Sequence, residues 1–467
     1  MTKAVRFTLD PSPSQQRMLR SYCGAARFSF NWALGVVKDN LAVRATERVA
    51  GVAEESLTPA VSWSSFSLRK QFNACKHEVA PWWQEVAKHC FDTGISQAAD
   101  GLKNWSDAKN GRRRGPVGFP SFRSKKRPMQ SVSFVELNHQ LSWLHESRHG
   151  VRLMLPQALI QSKDPHVRAK AQLLVWVHTV ESTRRLYRLV EAGKATIQKV
   201  TYSHRGGRWQ VSFQLRYQVA HAPVPVPRCR LGDVVGVDLG IKHLATLSQP
   251  VVGVTDEHGH VANPRVLGGQ SRRLGSLDRK IARCLPGSKN RARLVARRAR
   301  LHGQITTTRQ LHLHALANTL AGGFDLVGIE DLNVRGMSNR KRRLGRHLAD
   351  VSLAELRRIL CYKTADRGHR LVAVDRFYPS SKTCSGCNQV KAKLALHTRV
   401  FDCDHCGLTL DRDVNAAINL ARHATTLAGT PAPHGDVAGL RPETRNADSR
   451  PCETDQGNLA ATAAPSH

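Results

Sequence analysis

Apolar and polar residues alternate through TKAVRFTLDP before Pro11, and a period of two predicts one strand over residues 1–10. Pro13 and Ser14 then open a helix, because the fixed φ of proline suits a first helical turn. Helical periodicity with polar interruptions runs from about Gln15 to Asn110. It predicts a helical module over 11–127, closing in the basic, glycine-rich GRRRGPVGFPSFRSKKR. From about Ser131 to Gln218 the period changes to two. VSFVEL, LSWLHESRHGVRLML and ATIQKVTYSHRGGRWQVSFQLRY read as strands, with a hairpin turn at Gly206-Gly207 and a helix over Thr183 to Ala192. Antiparallel strands of this kind predict a small barrel over 128–220, joined by the first strand and interrupted by the helical module.

HAPVPVPRCRLGD (221–233) reads as a proline-rich linker. Beyond it, VVGVDLGIKHLATLS predicts a buried strand, a turn at Gly240 and a second strand. An arginine-rich helix over about Asn290 to Leu320 follows, then the buried strand FDLVGIEDL, a helix over Ala354 to Arg367, and the strand HRLVAVDR. Strands alternating with helices predict an α/β layer, here 234–383, resuming at 407–423 with a helix from about Asp413 to Arg422. Residues 424–467 are rich in Ala, Pro, Thr and Gly without periodicity and are expected to be disordered.

Charge narrows the partner. Lys+Arg number 71 against 36 Asp+Glu, a net +35 with a pI near 10.6, which favours a polyanion whose counterions are released on binding. No apolar run approaches the roughly 20 residues of a membrane span, and the N-terminus lacks the pattern of a signal peptide. A membrane partner is therefore not expected. Seven of the eleven cysteines show no pairing pattern, so a reducing, cytoplasmic location is expected.

The other four are patterned. Cys384/Cys387 and Cys403/Cys406 form two Cys-x-x-Cys knuckles separated by fifteen residues, the spacing of a four-thiolate zinc ribbon over 384–406. Such a zinc ion is coordinatively saturated, so it holds structure and leaves chemistry to other residues. Three acids stand where strand or helix pattern does not ask for them. Asp238 interrupts a buried strand, Glu330 ends another, and Asp413 opens the helix after the ribbon. Converging carboxylates repel one another unless cations relieve them, and the set suits two Mg²⁺ ions acting on a phosphodiester. Asp411 serves equally well as the helix cap, and Asp331 equally well as the acid near 330.

GVDLGIKHLATLS, GIEDLNVRGM, CSGC…CDHCG and LDRDVNAAINLAR together resemble the RuvC-like domain of transposon-encoded TnpB proteins and the related miniature type V CRISPR effectors. KAVRFTLDPSPSQQRMLRSYCGAARFSFNWALG and VESTRRLYRLVEAGKATI with GGRWQVSF resemble their N-terminal regions more weakly. The resemblance implies a multidomain α+β chain: a β-barrel wedge domain carrying a helical recognition insertion, then an RNase H-like (RuvC) α/β domain with an inserted zinc ribbon. It implies an RNA-guided DNA endonuclease with guide RNA and double-stranded DNA as partners, a short flanking motif, and one metal-dependent site formed by Asp238, Glu330 and Asp413. A homodimer is compatible with it. A nuclease-inactive RNA-guided regulator would need a broken carboxylate set, and a zinc-ribbon accessory of transposition would leave the acids structural.

In such a nuclease base pairing reads sequence while the protein reads backbone. The phosphate-tracking candidates are Arg112, Arg113, Arg114, Lys125, Lys126 and Arg127; Arg297 and Arg298 on the long helix, with Arg291, Arg293 and Arg300; and Arg340, Lys341, Arg342 and Arg343 in a loop after Glu330. Arg69, Lys70, Gln71 and Gln97 are the candidates for reading the flanking motif.

Overall fold

The computed structural model describes residues 2–113, 115–125, 129–135, 140–218, 231–337, 344–395 and 397–429. The chain divides into two compact units, 1–222 and 223–467.

The first unit runs β1 (Thr2–Asp10), α1 (Pro13–Val49), α2 (Ser65–Val79), α3 (His89–Lys109), β2 (Ser131–Phe134), β3 (Gly150–Arg152), α4 (Gln157–Ile160), α5 (Pro165–Val175), β4 (Trp176–Thr179), α6 (Arg184–Glu191), β5 (Ala195–Arg205) and β6 (Arg208–Tyr217). All ladders are antiparallel, in the order β2-β5-β6-β1-β4-β3. The N-terminal strand is thus an interior one, zipped to β6 from Thr2 opposite Arg216 to Leu9 opposite Trp209. Ser12 and Gln15 form a reciprocal capping box at the start of α1, and the buried Gln15 amide also donates to the carbonyls of Leu174 and Trp176. One cap therefore fastens the helical insertion to the sheet. Gly206 and Gly207 turn the β5–β6 hairpin with φ of 57° and 74°, the left-handed pair that a two-residue turn requires. No ladder joins β2 to β3 among the described residues. The sheet nevertheless curls far enough for the Tyr202 hydroxyl on β5 to donate to the Arg152 carbonyl on β3.

Two expectations fail in this unit. LSWLHESRHGVRLML is not one long strand: Gln140–Trp143 is a 3₁₀ turn and only Gly150–Arg152 is extended. The chain reverses between them, with the His145 amide on the Gly150 carbonyl at 2.9 Å and Arg148 left-handed. The stretch before β4 holds an unanticipated helix, α5. Its start signal is local: Asp164 accepts from the His166 amide at 2.8 Å and Pro165 fills the first turn.

The second unit runs β7 (Gly232–Leu239), β8 (His243–Leu247), β9 (His260–Ala262), α7 (Val266–Gly269), α8 (Ser271–Ala282), α9 (Lys289–Gly323), β10 (Phe324–Glu330), α10 (Val334–Met337), α11 (Gly345–Val351), α12 (Leu353–Ala365), β11 (Arg370–Val374), β12 (Val400–Asp402), β13 (Thr409–Asp411) and α13 (Arg412–Gly429). A mixed sheet, β11-β10-β7-β8-β9, is parallel in its first three strands and antiparallel beyond. Val235, Val237 and Leu239 of β7, with Val327 and Ile329 of β10, pack into a core with Leu316 and Leu320 of α9 and Leu356 and Ile359 of α12. The alternate residues face the opposite side.

Three boundaries shift. β7 begins two residues inside the expected linker. The β12–β13 hairpin carries the ribbon on to Asp411, and α13 continues past 423 to Gly429 because Leu420 and Ala424 remain buried against the sheet.

Candidate metal centres of the second unit

The acidic edge begins with two glycines. Gly236 of β7 and Gly328 of β10 are register partners on the face opposite the apolar core. A Cβ on Gly236 would stand 1.8 Å from the Ala417 carbonyl oxygen, and one on Gly328 would stand 2.7 Å from the Leu420 carbonyl oxygen. The pair forms a trough into which the α13 backbone settles. Period two then places Asp238 on the same face as Gly236, and Glu330 on the same face as Gly328, at adjacent positions of two parallel strands. Helix α13 runs against the strand direction, since Arg370 at the start of β11 donates to the Ala428 carbonyl at its end. One turn back from Ala417, about 6 Å along the axis, is Asp413; two residues on from Gly236, about 7 Å along the strand, is Asp238. The three acids thus come from three elements onto one edge.

Electrostatics agree with this arrangement. Burial pushes the Asp238 carboxyl well above its ordinary range, the charges of Asp413 and Glu330 push it further, and Arg412 opposes them. Glu330 is raised by burial and by its neighbour Asp331. The edge is a wide cluster. Among the described residues, the four thiols are the one group of three or more metal-ligating side chains with ligand atoms all within 4.8 Å of one another.

The contacts also separate acids that the sequence leaves interchangeable. Asp411 is the helix cap, its Oδ1 accepting the amides of Asp413 at 2.8 Å and Val414 at 3.2 Å. Asp413 is therefore released from capping, and its Oδ1 accepts instead from the Arg412 guanidinium at 2.9 and 3.1 Å. Asp331 is clasped by Arg357 and Arg376. Burial alone would raise its carboxyl, but the two guanidiniums outweigh burial and hold it below the usual range. Glu330 carries no such ion pair among the described contacts.

The thiol centre is compact. Cys384 and Cys406 sulfurs lie 3.6 Å apart, as do those of Cys387 and Cys403. A tetrahedron with Zn–S bonds near 2.3 Å has edges of about 3.8 Å, so four cysteines at this spacing fit zinc. Amide hydrogen bonds from the Cys406 and His405 backbones pull the Cys403 thiol down to about 6, favouring the thiolate that a metal needs.

Asn415 and Asn419 are functional links for which the sequence reading assigned no role. Both are buried on α13. Asn415 accepts the Ser385 amide at 2.9 Å and donates to the Thr383 carbonyl at 2.8 Å. Asn419 donates to the carbonyls of Ser380 at 2.8 Å and Thr383 at 2.7 Å. The first knuckle is thereby bolted to the helix that bears Asp413. The available signal was two amides four residues apart inside the apolar run VNAAINLA. His260 was also missed; on β9, it bonds Thr246 at 3.1 Å and stands 4.0 Å from Asp411.

The basic candidates are not gathered at either centre by any described contact. Arg69, Lys70 and Gln71 lie on α2 and Gln97 on α3, in the first unit, where Lys70 is exposed and the other three are half-buried. Arg112, Arg113 and Lys125 are exposed, with Arg113 donating to Asn104. Arg297 and Arg298 are exposed on α9, but Arg298 is paired with Asp278 at 2.9 Å. A neighbouring carboxylate already compensates that charge. Arg114, Lys126, Arg127, Arg340, Lys341, Arg342 and Arg343 lie outside the described residues, as does the tail from 430 onward.

Fold and site define a protein of mixed helix and sheet in which a cluster of four thiols, spaced to fit zinc, braces an acidic sheet edge. Residues 354–420 match the Cas12f1-like TNB domain, 214–341 a family described as a probable transposase, and 1–44 a helix-turn-helix domain. A Mycobacterium tuberculosis protein with the provisional name RNA-guided DNA endonuclease is 33% identical over 435 residues, covering 90% of this chain and 86% of that one. Escherichia coli InsQ, provisionally named in the same way, is 26% identical over 444 residues, covering 91% and 94%. A solved Cas12f1–sgRNA–target DNA complex aligns at a TM-score of 0.47 and 13% identity, covering 90% of this chain and 98% of that one. The chain belongs to the TnpB-like family of RNA-guided endonucleases.

Proposed function

We propose that this protein is an RNA-guided DNA endonuclease, transposon-borne or a miniature type V effector. In this reading guide RNA selects a double-stranded target beside a short flanking motif, and Asp238, Glu330 and Asp413 cut it at one RuvC-like site. The five-stranded sheet with α13 is read as the RNase H-like nuclease layer, and the curled six-stranded sheet as the wedge with its helical recognition insertion. The relatives' names support the activity. The observation that carries the site is the adjacency of Asp238 and Glu330 on parallel strands, with Asp413 electrostatically coupled to Asp238 from α13.

Half-buried acids, two of which raise the proton affinity of the third, suit hard divalent cations with oxygen ligands. Asp238, Glu330 and Asp413 would hold two Mg²⁺ ions, which supply charge stabilisation to the attacked phosphodiester. The chain's own part is orientation. The glycine trough fixes the height of α13, the Asp411 cap holds its first turn, and the thiol centre braces it through Asn415 and Asn419. The +35 net charge serves the nucleic acids. Among the described residues no helix is long and apolar enough to cross a membrane. Nothing in the described residues or in the relatives supports a homodimer.

Asp238→Ala is the direct test. Losing several kcal/mol of transition-state stabilisation lowers the cleavage rate by about a thousandfold or more, while guided DNA binding by gel shift stays intact. Retained cutting overturns the assignment.

A further inference from the structure

The second unit has five Phe and Tyr residues, and four have settled surroundings. Phe324 and Phe401 are fully buried. Tyr362 lies against His314 and Arg358, and Tyr378 stacks on His423 at 4.2 Å and 12°. Phe377 is the exception. It is 86% exposed and takes part in none of the described ring contacts.

The exposure does not come from a loose loop. Val374, three residues earlier, is the register partner of Glu330, so the segment leaves the sheet at the acidic edge. Arg376 is bound to Asp331, whose own amide donates to the Val374 carbonyl at 2.9 Å. The Phe377 amide donates to Asp375 Oδ1 at 2.8 Å, Tyr378 is pinned to α13, and the Ser380 carbonyl is held by Asn419. Neighbours on both sides are fastened to the acid-bearing elements, and a large apolar ring is presented to solvent between them. An exposed aromatic held between fastened neighbours is the chemistry that stacks on a nucleobase, because every base offers a π-face.

We propose that Phe377 is a base-stacking residue that grips a nucleobase of the unpaired DNA strand beside the scissile phosphate. This rests on the carboxylate reading above and adds a subsite to it. Stacking gives substrate binding at the edge a sequence-tolerant anchor, as a nuclease directed by a guide requires.

The test uses full-length protein with guide RNA and target DNA carrying 2-aminopurine, or an abasic residue, at successive positions around the cut. In the Asp238→Ala background, 2-aminopurine fluorescence is expected to be quenched at one DNA position and released in D238A/F377A. In the active protein, F377A should raise KM about tenfold with little change in kcat, and F377W should restore it. An abasic residue at the quenched position should erase the difference between F377A and wild type. Unchanged KM and quenching in F377A overturn the proposal, as does quenching that follows a label in the guide RNA instead of the DNA. A lowered melting temperature in F377A also overturns it, because the ring is then part of the fold. Wild-type cutting by D238A defeats the carboxylate reading alone, while the fluorescence still decides the stacking.

Discussion

The thiol centre and the acidic edge share helix α13 and are built in opposite ways. Four sulfurs converge from two tight turns, each made within four residues, and backbone amides lower the pKa of one of them, Cys403. The acids arrive from β7, β10 and α13, stay further apart, and raise the proton affinity of Asp238. A saturated site of this kind stores stability and offers no open position. An edge of repelling carboxylates is a liability to the fold that Arg412 offsets only in part, and such perturbed clusters concentrate at functional sites. The thiol knuckle braces α13, and the edge carries the carboxylates of the proposed site.

Removing the brace should have the largest effect. Structural zinc contributes on the order of 10 kcal/mol or more to such modules, so Cys403→Ser should lose the metal and release Asn415 and Asn419 from the knuckle. Cleavage should then vanish although all three acids remain. Metal analysis beside a cleavage assay checks this, and a zinc-free variant that cuts at the wild-type rate would separate the two sites entirely. Gly236→Ala should come next. Its Cβ meets helix backbone, which cannot swing aside as a side chain does, so α13 must lift, at about 3 kcal/mol. Denaturant unfolding reads that loss, with Gly269→Ala as a neutral control because nothing lies within 4 Å of its added Cβ.

The smallest effect probes the liability itself. The folded-state pKa of Asp238 is raised above its ordinary 3.8, so the folded chain holds that proton more tightly than the unfolded one. The Asp238 contribution to metal-free stability is therefore greatest below the ordinary value and falls as pH rises through the interval up to the raised one. Asp238→Asn removes this loss. Its melting temperature should exceed that of metal-free wild type at neutral pH, by roughly 2–4 °C for each 1 kcal/mol relieved. The gain should shrink as pH drops through that interval, and should disappear in wild type when Mg²⁺ is added. A gain independent of pH would show that the acids do not strain one another.

Much of this was legible beforehand. Period two found β1, the β5–β6 hairpin and the buried strands, because burial of one sheet face is written into alternate residues. The knuckles were equally plain. The miss at 140–154 has a physical cause: a turn held by His145 and Gly150 breaks an alternation that looks continuous on paper. Helix α5 was missed although its Asp164-Pro165 start is a strong local signal. Arg298 read as a free cation until Asp278, on another helix, was seen beside it.

By itself the chain determined what depends on near neighbours: strand and helix periods, the paired Cys-x-x-Cys knuckles, a charge that favours a polyanion, and which acids were out of pattern. Tertiary structure alone decided which of Glu330 and Asp331 is spent on an ion pair. It also decided that two glycines in register set the depth of that helix. Those choices turn on groups tens to hundreds of residues apart, whose distance no local spacing encodes until the sheet and its helix have closed.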